Sequence, residues 1–119
     1  MIYCKRVYEA VSAADGKRAF VDRLWPRGMR KENLIMDAWA KDAAPSNDLR
    51  KWYHQDLTRQ DEFCKRYTQE LEDHPEHCQV LLDFAREGDL TLLYASSNPD
   101  FNHAKVLADY LRKVLNAAI

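Results

Sequence analysis

The run Leu90-Thr91-Leu92-Leu93-Tyr94-Ala95-Ser96 constrains the fold more than any other segment. It is short and nearly continuous in apolar character, with Gly88-Asp89 before it and polar residues after it. That is the pattern of a strand covered on both faces. Such a strand lies inside a sheet and needs a layer on either side. In a chain of 119 residues this means a single α/β domain spanning residues 1–119, with one core. The strand leads into Ser97-Asn98-Pro99-Asp100, a turn, and then into a helix beginning near Asn102. Val106, Leu107, Tyr110, Leu111, Val114 and Leu115 mark that helix's buried face. Strand, polar loop and helix is the unit with which α/β domains cradle ligands.

Ile2 to Tyr8 alternates as a short strand, and Arg18 to Trp25, rich in Ala, Phe, Val and Leu, reads as a second. Ala13-Ala14-Asp15-Gly16-Lys17 supplies a turn between them. The linker is short for a parallel crossover, so local logic alone favours a hairpin here. Lys31 to Asp42 commits to neither helix nor strand. Pro45-Ser46 then opens a helix, with Ser46 as N-cap to Asn47–His54 and Asp48 suited to the positive helix end. Phe63, Tyr67 and Leu71 recur every four residues and predict a helix over 61–72. Pro75 restarts a helical turn, and Leu81, Leu82, Phe84 and Ala85 carry an apolar face to a stop at Gly88.

Composition removes several classes of function. With 18 basic and 19 acidic residues the formal charge is −1, so the chain does not coat nucleic acid by bulk charge. Three glycines in the whole chain leave no dinucleotide fingerprint and no Walker loop, and no G-x-S-x-G elbow is present. No cofactor is expected on these grounds. Cys4, Cys64 and Cys78 form an odd set without a C-x-x-C pair and without a signal-like N-terminus. They read as reduced thiols of a cytoplasmic protein, with Cys4 a buried small residue. No apolar run approaches the roughly 18 residues of a membrane span. His74, His77 and Cys78 flank Pro75 and read as exposed residues of a helix start, so no metal site is expected.

Two constellations point to one end of a sheet. In Val21-Asp22-Arg23-Leu24-Trp25-Pro26-Arg27-Gly28, Asp22, Arg23, Trp25 and Arg27 stand at or just past a strand end. There the guanidinium forks suit a phosphate or carboxylate, and an indole suits a ring. The alternative is that Asp22 pairs with an arginine and Trp25 plugs the core. In the second constellation, Ser96, Ser97, Asn102 and His103 surround a strand-to-helix junction whose free N–H groups favour an anion. Asn102 also suits the N-cap. Ser46, Arg50 and His54 extend the set from another helix. His103 and His54 are the candidate acid/base catalysts, since imidazole titrates near neutrality, although neither has a visible nucleophile partner.

The string Cys4-Lys5-Arg6-Val7-Tyr8, the block Val21–Gly28, Ala44-Pro45-Ser46 with Leu49-Arg50, and Leu92-Leu93-Tyr94-Ala95 with Asn102-His103-Ala104 together resemble the YeaO-like proteins. These are small bacterial proteins of a domain-of-unknown-function family, and the resemblance spans nearly the whole chain. It implies a Rossmann-like three-layer α-β-α arrangement with a small, mostly parallel sheet, which overrides the hairpin between the first two strands. Longer relatives place a helix between those strands. They also carry a Cys-His-Arg cluster where this chain has Asn102-His103-Ala104, so the histidine is shared while the thiol and the arginine are absent.

Three functions follow. The first is an enzyme on a small phosphorylated or nucleotide-like substrate held by Arg23, Arg27 and Arg50, with His54 or His103 moving a proton. The second is a non-catalytic nucleotide or nucleic-acid module that stacks on Trp25, Trp39 and Trp52, with nucleic acid less favoured. The third is a protein-interaction module anchored by Trp39, Trp52 and Tyr53. A small anionic ligand is the expected partner and a membrane is not; the sequence sets no oligomeric state.

Overall fold

The central strand forms as expected, but what flanks it is decided far away in sequence. A computed structural model describes residues 1–98 and 100–117. Pro99 of the expected turn lies outside the described residues. The strands are β1 (Ile2–Arg6), β2 (Lys17–Phe20), β3 (Ala38–Trp39) and β4 (Leu90–Tyr94). The helices are α1 (Asn47–His54), α2 (Gln60–Asp73), α3 (Gln79–Glu87) and α4 (His103–Ala117). The sheet order is β1-β4-β2-β3 and every pairing is parallel. The last strand is thus inserted between the first two, with Ile2 opposite Leu90 on one side and Lys17 opposite Leu90 on the other.

The hairpin that the short linker favoured is therefore absent, because β1 and β2 both pair with β4 and not with each other. The resemblance anticipated the parallel sheet. The helix that longer relatives place between β1 and β2 is here a 3-10 turn, Ala13–Asp15, capped by the Ser12 side chain. The second strand also stops earlier than expected. Beyond Phe20 the chain leaves the ladder after one further bond, from the Val21 N–H to the Leu93 carbonyl, and 22–25 are irregular.

Alternation along the strands sorts the core into two sides. Ala19, Val21, Leu90, Leu92 and Tyr94 pack with Leu49 of α1, Phe63, Tyr67 and Leu71 of α2, Leu81 of α3 and Leu107 and Leu111 of α4. Phe20 and Leu93 face the other way, with Val7 and Leu34 and with Trp25, Met29, Met36 and Trp39 over them. The three layers of this α/β fold are thus the helices, the sheet, and the segment 24–36 with its 3-10 turn, Lys31–Asn33. No helix among the described residues is long and apolar enough to cross a membrane.

Asp15 locks the short first connection. It is buried and meets Lys5 of β1 at 3.1 Å, Arg18 of β2 and the Ser12 N–H, while its carbonyl accepts the Thr91 hydroxyl of β4 at 2.7 Å. Burial works against its charge, but the Ser12 N–H, Lys5 and Arg18 outweigh it and hold the carboxyl below the usual range. Next to it, Gly16 at φ +63° brings the chain so close to β4 that an added Cβ would lie 2.2 Å from the Asp89 carbonyl oxygen.

Two outcomes test this connection. Gly16→Ala should lower stability by about 2–3 kcal/mol, roughly 10 °C in melting temperature, by clash and by positive φ. Asp15→Asn should cost about 3 kcal/mol at neutral pH by stranding two cations. Because the folded-state pKa is depressed, the wild-type advantage should be complete above about pH 4 and disappear as pH falls through the folded value. Denaturant unfolding at a series of pH values reads both effects.

Candidate functional site

In a parallel sheet all strands end on the same edge, and the loops leaving that edge build the site. Here Tyr8 follows β1, Asp22–Arg27 follow β2, Ala44-Pro45 follow β3 and Ala95–Ser97 follow β4, and all of them line one cleft of about 540 Å³. Arg50, Tyr53 and His54 of α1, Phe63 of α2, and Phe101, Asn102 and His103 at the start of α4 complete it. The two constellations expected from sequence therefore share a cleft: Asp22, Arg23, Trp25, Arg27, Arg50, His54, Ser96, Asn102 and His103 all face it. Ser46 does not. Its hydroxyl caps α1 by accepting the Leu49 N–H at 3.1 Å and donates to Glu70 at 2.5 Å, so both of its capacities are used.

The loop that aims α1 is held from three directions. The Tyr67 hydroxyl, buried in α2, donates to the Ala43 carbonyl at 2.6 Å. Arg23 Nε donates to the Pro45 carbonyl at 2.8 Å, and Glu70 accepts the Ser46 N–H at 2.9 Å. Burial keeps the Tyr67 phenol far above its ordinary pKa, so it remains a donor. Arg50, Tyr53 and His54 stand at i, i+3 and i+4 and so share one face of the helix that this loop orients.

The chemistry concentrates at Asp22 and His103. Asp22 Oδ2 accepts the Ala95 N–H at 3.1 Å, and its carbonyl accepts the Trp39 indole N–H at 2.7 Å. His103 Nε2 lies 3.0 Å from the Val21 carbonyl and 2.8 Å from Asp22 Oδ1. Both neighbours are acceptors, which assigns the ring proton to Nε2 and directs it to the Val21 carbonyl. Asp22 Oδ1, buried and without an aligned donor of its own, sits beside that bond as its counter-charge. Nδ1 makes no hydrogen bond among the described residues. A carboxylate-oriented imidazole of this kind can accept or donate a proton at its other nitrogen.

Among the described residues no activated nucleophile accompanies it. Asn102, immediately before the histidine, is buried; its amide donates to the Asn98 carbonyl and its oxygen accepts the Lys105 N–H, so it caps α4. Burial raises the Cys4 and Cys64 thiols and pushes Cys78 up to about 11, and none of the three lines the cleft. His54 is exposed, and its ring makes no hydrogen bond among the described residues. His74, Glu76 and His77 gather at the turn after α2, with Glu76 Oε1 3.2 Å from His74 Nδ1, far from these residues in the chain and outside the cleft.

The tryptophans serve the framework. Trp25 borders the cleft, yet it donates its N–H to the Met29 carbonyl at 2.6 Å and packs edge-on to Trp39 and Phe20, which holds the Pro26–Gly28 turn against the sheet. Trp52 lies outside the cleft lining, with Arg59 and Arg66 over its ring at 4.8 and 4.2 Å. Among the cleft residues that sequence reasoning did not assign to the site are Tyr8, Leu24, Tyr53, Phe63 and Phe101. Arg6 was also missed. It donates to the Ala95 carbonyl and covers the Tyr8 ring at the edge of the cleft. Its place in the string Cys4–Tyr8, at the end of the first strand, was the available signal.

Asp22→Asn tests the central pair. With the amide oxygen on the Ala95 N–H, the amide NH2 faces the Nε2–H donor, so the contact is lost or the ring switches tautomer and leaves the Val21 carbonyl unpaired, and stability should fall by about 2 kcal/mol. Nitrogen NMR of the histidine ring should show the Nε2–H form in the wild type and lose that preference in the variant.

Among known proteins, residues 1–118 match the family model DUF488-N3i, described as the inactive DUF488-N3 subclade. The chain is 45% identical over 113 residues to the uncharacterised protein YeaO of Escherichia coli, covering 95% of this chain and 98% of that one. It is 42% identical over 106 residues to uncharacterised proteins of Mycobacterium bovis and Mycobacterium tuberculosis, covering 89% of each chain. No solved structure matches it. The unusual blocks at the strand ends and the match along nearly the full length lead to one assignment: the chain belongs to the inactive DUF488-N3 subclade, the family of the YeaO-like proteins.

Proposed function

We propose that this chain is a binding protein for a small anionic molecule held at the carboxyl edge of its sheet, and that it does not turn that molecule over. One observation carries the reading: how the arginines are paired. Of the ten arginines, Arg18, Arg59, Arg66, Arg86 and Arg112 each meet a carboxylate, whereas Arg6, Arg23, Arg27, Arg30 and Arg50 meet none among the described residues. Three of these five line the cleft and a fourth, Arg6, borders it. A protein with formal charge −1 thus leaves four of its five uncompensated guanidinium groups around one concavity. Asp22, the only cleft carboxylate among the described residues, is already turned to His103. Such a site attracts an anion and has two-pronged donors with which to grip it.

Binding without turnover accords with the capping role of Asn102, the raised thiols, and the family's description as inactive. The Asp22–His103 pair favours a second reading, an enzyme in which His103 moves a proton on the bound anion. The tryptophans' engagement in the framework weighs against a nucleic-acid module.

Thermal unfolding with inorganic phosphate and a panel of phosphate esters tests the proposal. A ligand at about 100 times its dissociation constant should add about 2.7 kcal/mol, several degrees in a domain this size. Arg27→Ala and Arg50→Ala should abolish the shift, Arg86→Ala should retain it, and added salt should diminish it. Absence of any shift would overturn the reading. Turnover of a bound ester, lost in His103→Ala, would replace it with the second.

A further inference from the structure

We propose that the ligand is a phosphate monoester carrying a planar ring, with its phosphate among the cleft arginines and its ring against an aromatic wall. This rests on the anion-binding reading above and names the chemical class of the ligand.

Charge selects the phosphate. Arg23, Arg27 and Arg50 line the cleft without a carboxylate partner. A single carboxylate would leave them largely uncompensated, whereas a phosphate monoester carries about −1.5 to −2 at neutral pH and has three oxygens to share among guanidinium forks. Shape then requires more than phosphate. The cleft holds about 540 Å³, within the range of sites that enclose whole small molecules and far more than one phosphate fills.

The rest of the lining supplies the ring's partner. Tyr53, Phe63 and Phe101 form a cluster with ring centroids 4.6, 5.9 and 6.0 Å apart, and all three border the cleft. Leu24, which also lines the cleft, is 61% exposed, a large apolar side chain in water at a charged site. Apolar surface within a cationic cleft is what an amphipathic ligand covers. The charged and aromatic parts are also close. Arg50 and Tyr53 are neighbours on one face of α1, with Cβ atoms about 5–6 Å apart as such helix pairs are. That separation suits a compact molecule in which phosphate and ring are joined by a short linker or a sugar.

Isothermal titration at fixed ionic strength separates the possibilities, with inorganic phosphate, ribose 5-phosphate, phenyl phosphate, AMP, CMP and adenosine as probes. The expected result is at least tenfold tighter binding of the ring-bearing phosphates than of ribose 5-phosphate, with no measurable binding of adenosine. AMP or CMP above phenyl phosphate identifies a nucleotide, and the reverse order an aryl phosphate. Phe101→Ala should remove the tenfold advantage and leave ribose 5-phosphate unchanged, and Tyr53→Leu provides the same test should the first variant not fold. Equal affinity for ribose 5-phosphate and both classes of ring-bearing ester would overturn the inference while leaving the anion site intact. Failure of every phosphate compound to bind would overturn the anion reading itself.

Discussion

Asp22 is the joint on which the working end of this protein depends. It stands where β2 has just left the sheet, and a strand that ends early would leave its neighbours' backbone groups unpartnered. Its carboxylate takes the Ala95 N–H beyond β4, its carbonyl takes the Trp39 indole N–H from β3, and its second oxygen meets the imidazole that opens α4. One residue thus connects two neighbouring strands and a helix at the edge where the cleft opens. The geometry uses the carboxylate within the framework, so the charge left over at the site is positive.

The cleft is built by the same economy. Arg23 points its Nε at the Pro45 carbonyl and so helps to orient the loop before α1, yet it meets no carboxylate that would cancel its charge. Trp25 uses its indole N–H to hold the turn that carries Arg27. Residues that look like ligand contacts in the sequence therefore split into holders and presenters. Asn102, Trp25 and Trp39 use their polar groups on the backbone, Ser46 uses its own on the backbone and Glu70, and Arg27, Arg50 and the free nitrogen of His103 meet no carboxylate. Elsewhere arginines pair locally along helices, as Arg66 with Glu62 and Arg112 with Asp109, where exposed pairs contribute little stability and chiefly neutralise charge.

The limits of local reading show in particular elements. Phe63, Tyr67 and Leu71 announce α2 because a helix writes its buried face at fixed spacing. Ser46 announces the start of α1 because a cap satisfies N–H groups within three residues. The second strand was overextended because Val21-Asp22-Arg23-Leu24 keeps a strand-like composition after Phe20, although the chain there turns away to cover the Phe20–Leu93 side of the sheet. The hairpin expectation failed because linker length constrains only sequential pairing. It carries no information about a strand that arrives 70 residues later and inserts between β1 and β2. Phe63 and Phe101 escaped notice as cleft residues because a core aromatic and a cleft aromatic look the same until the walls are in place.

The sequence by itself determined the central strand, the helix faces and starts, and the residue types gathered at the strand ends, because these follow from burial periodicity and short-range hydrogen bonding. Tertiary structure alone decided the strand order, the capture of Asp22 by His103 and Trp39, and which arginines were left without a carboxylate. Those outcomes are set by contacts between residues 17 to 88 positions apart, and charge compensation in particular is a property of neighbours in space that no local pattern records.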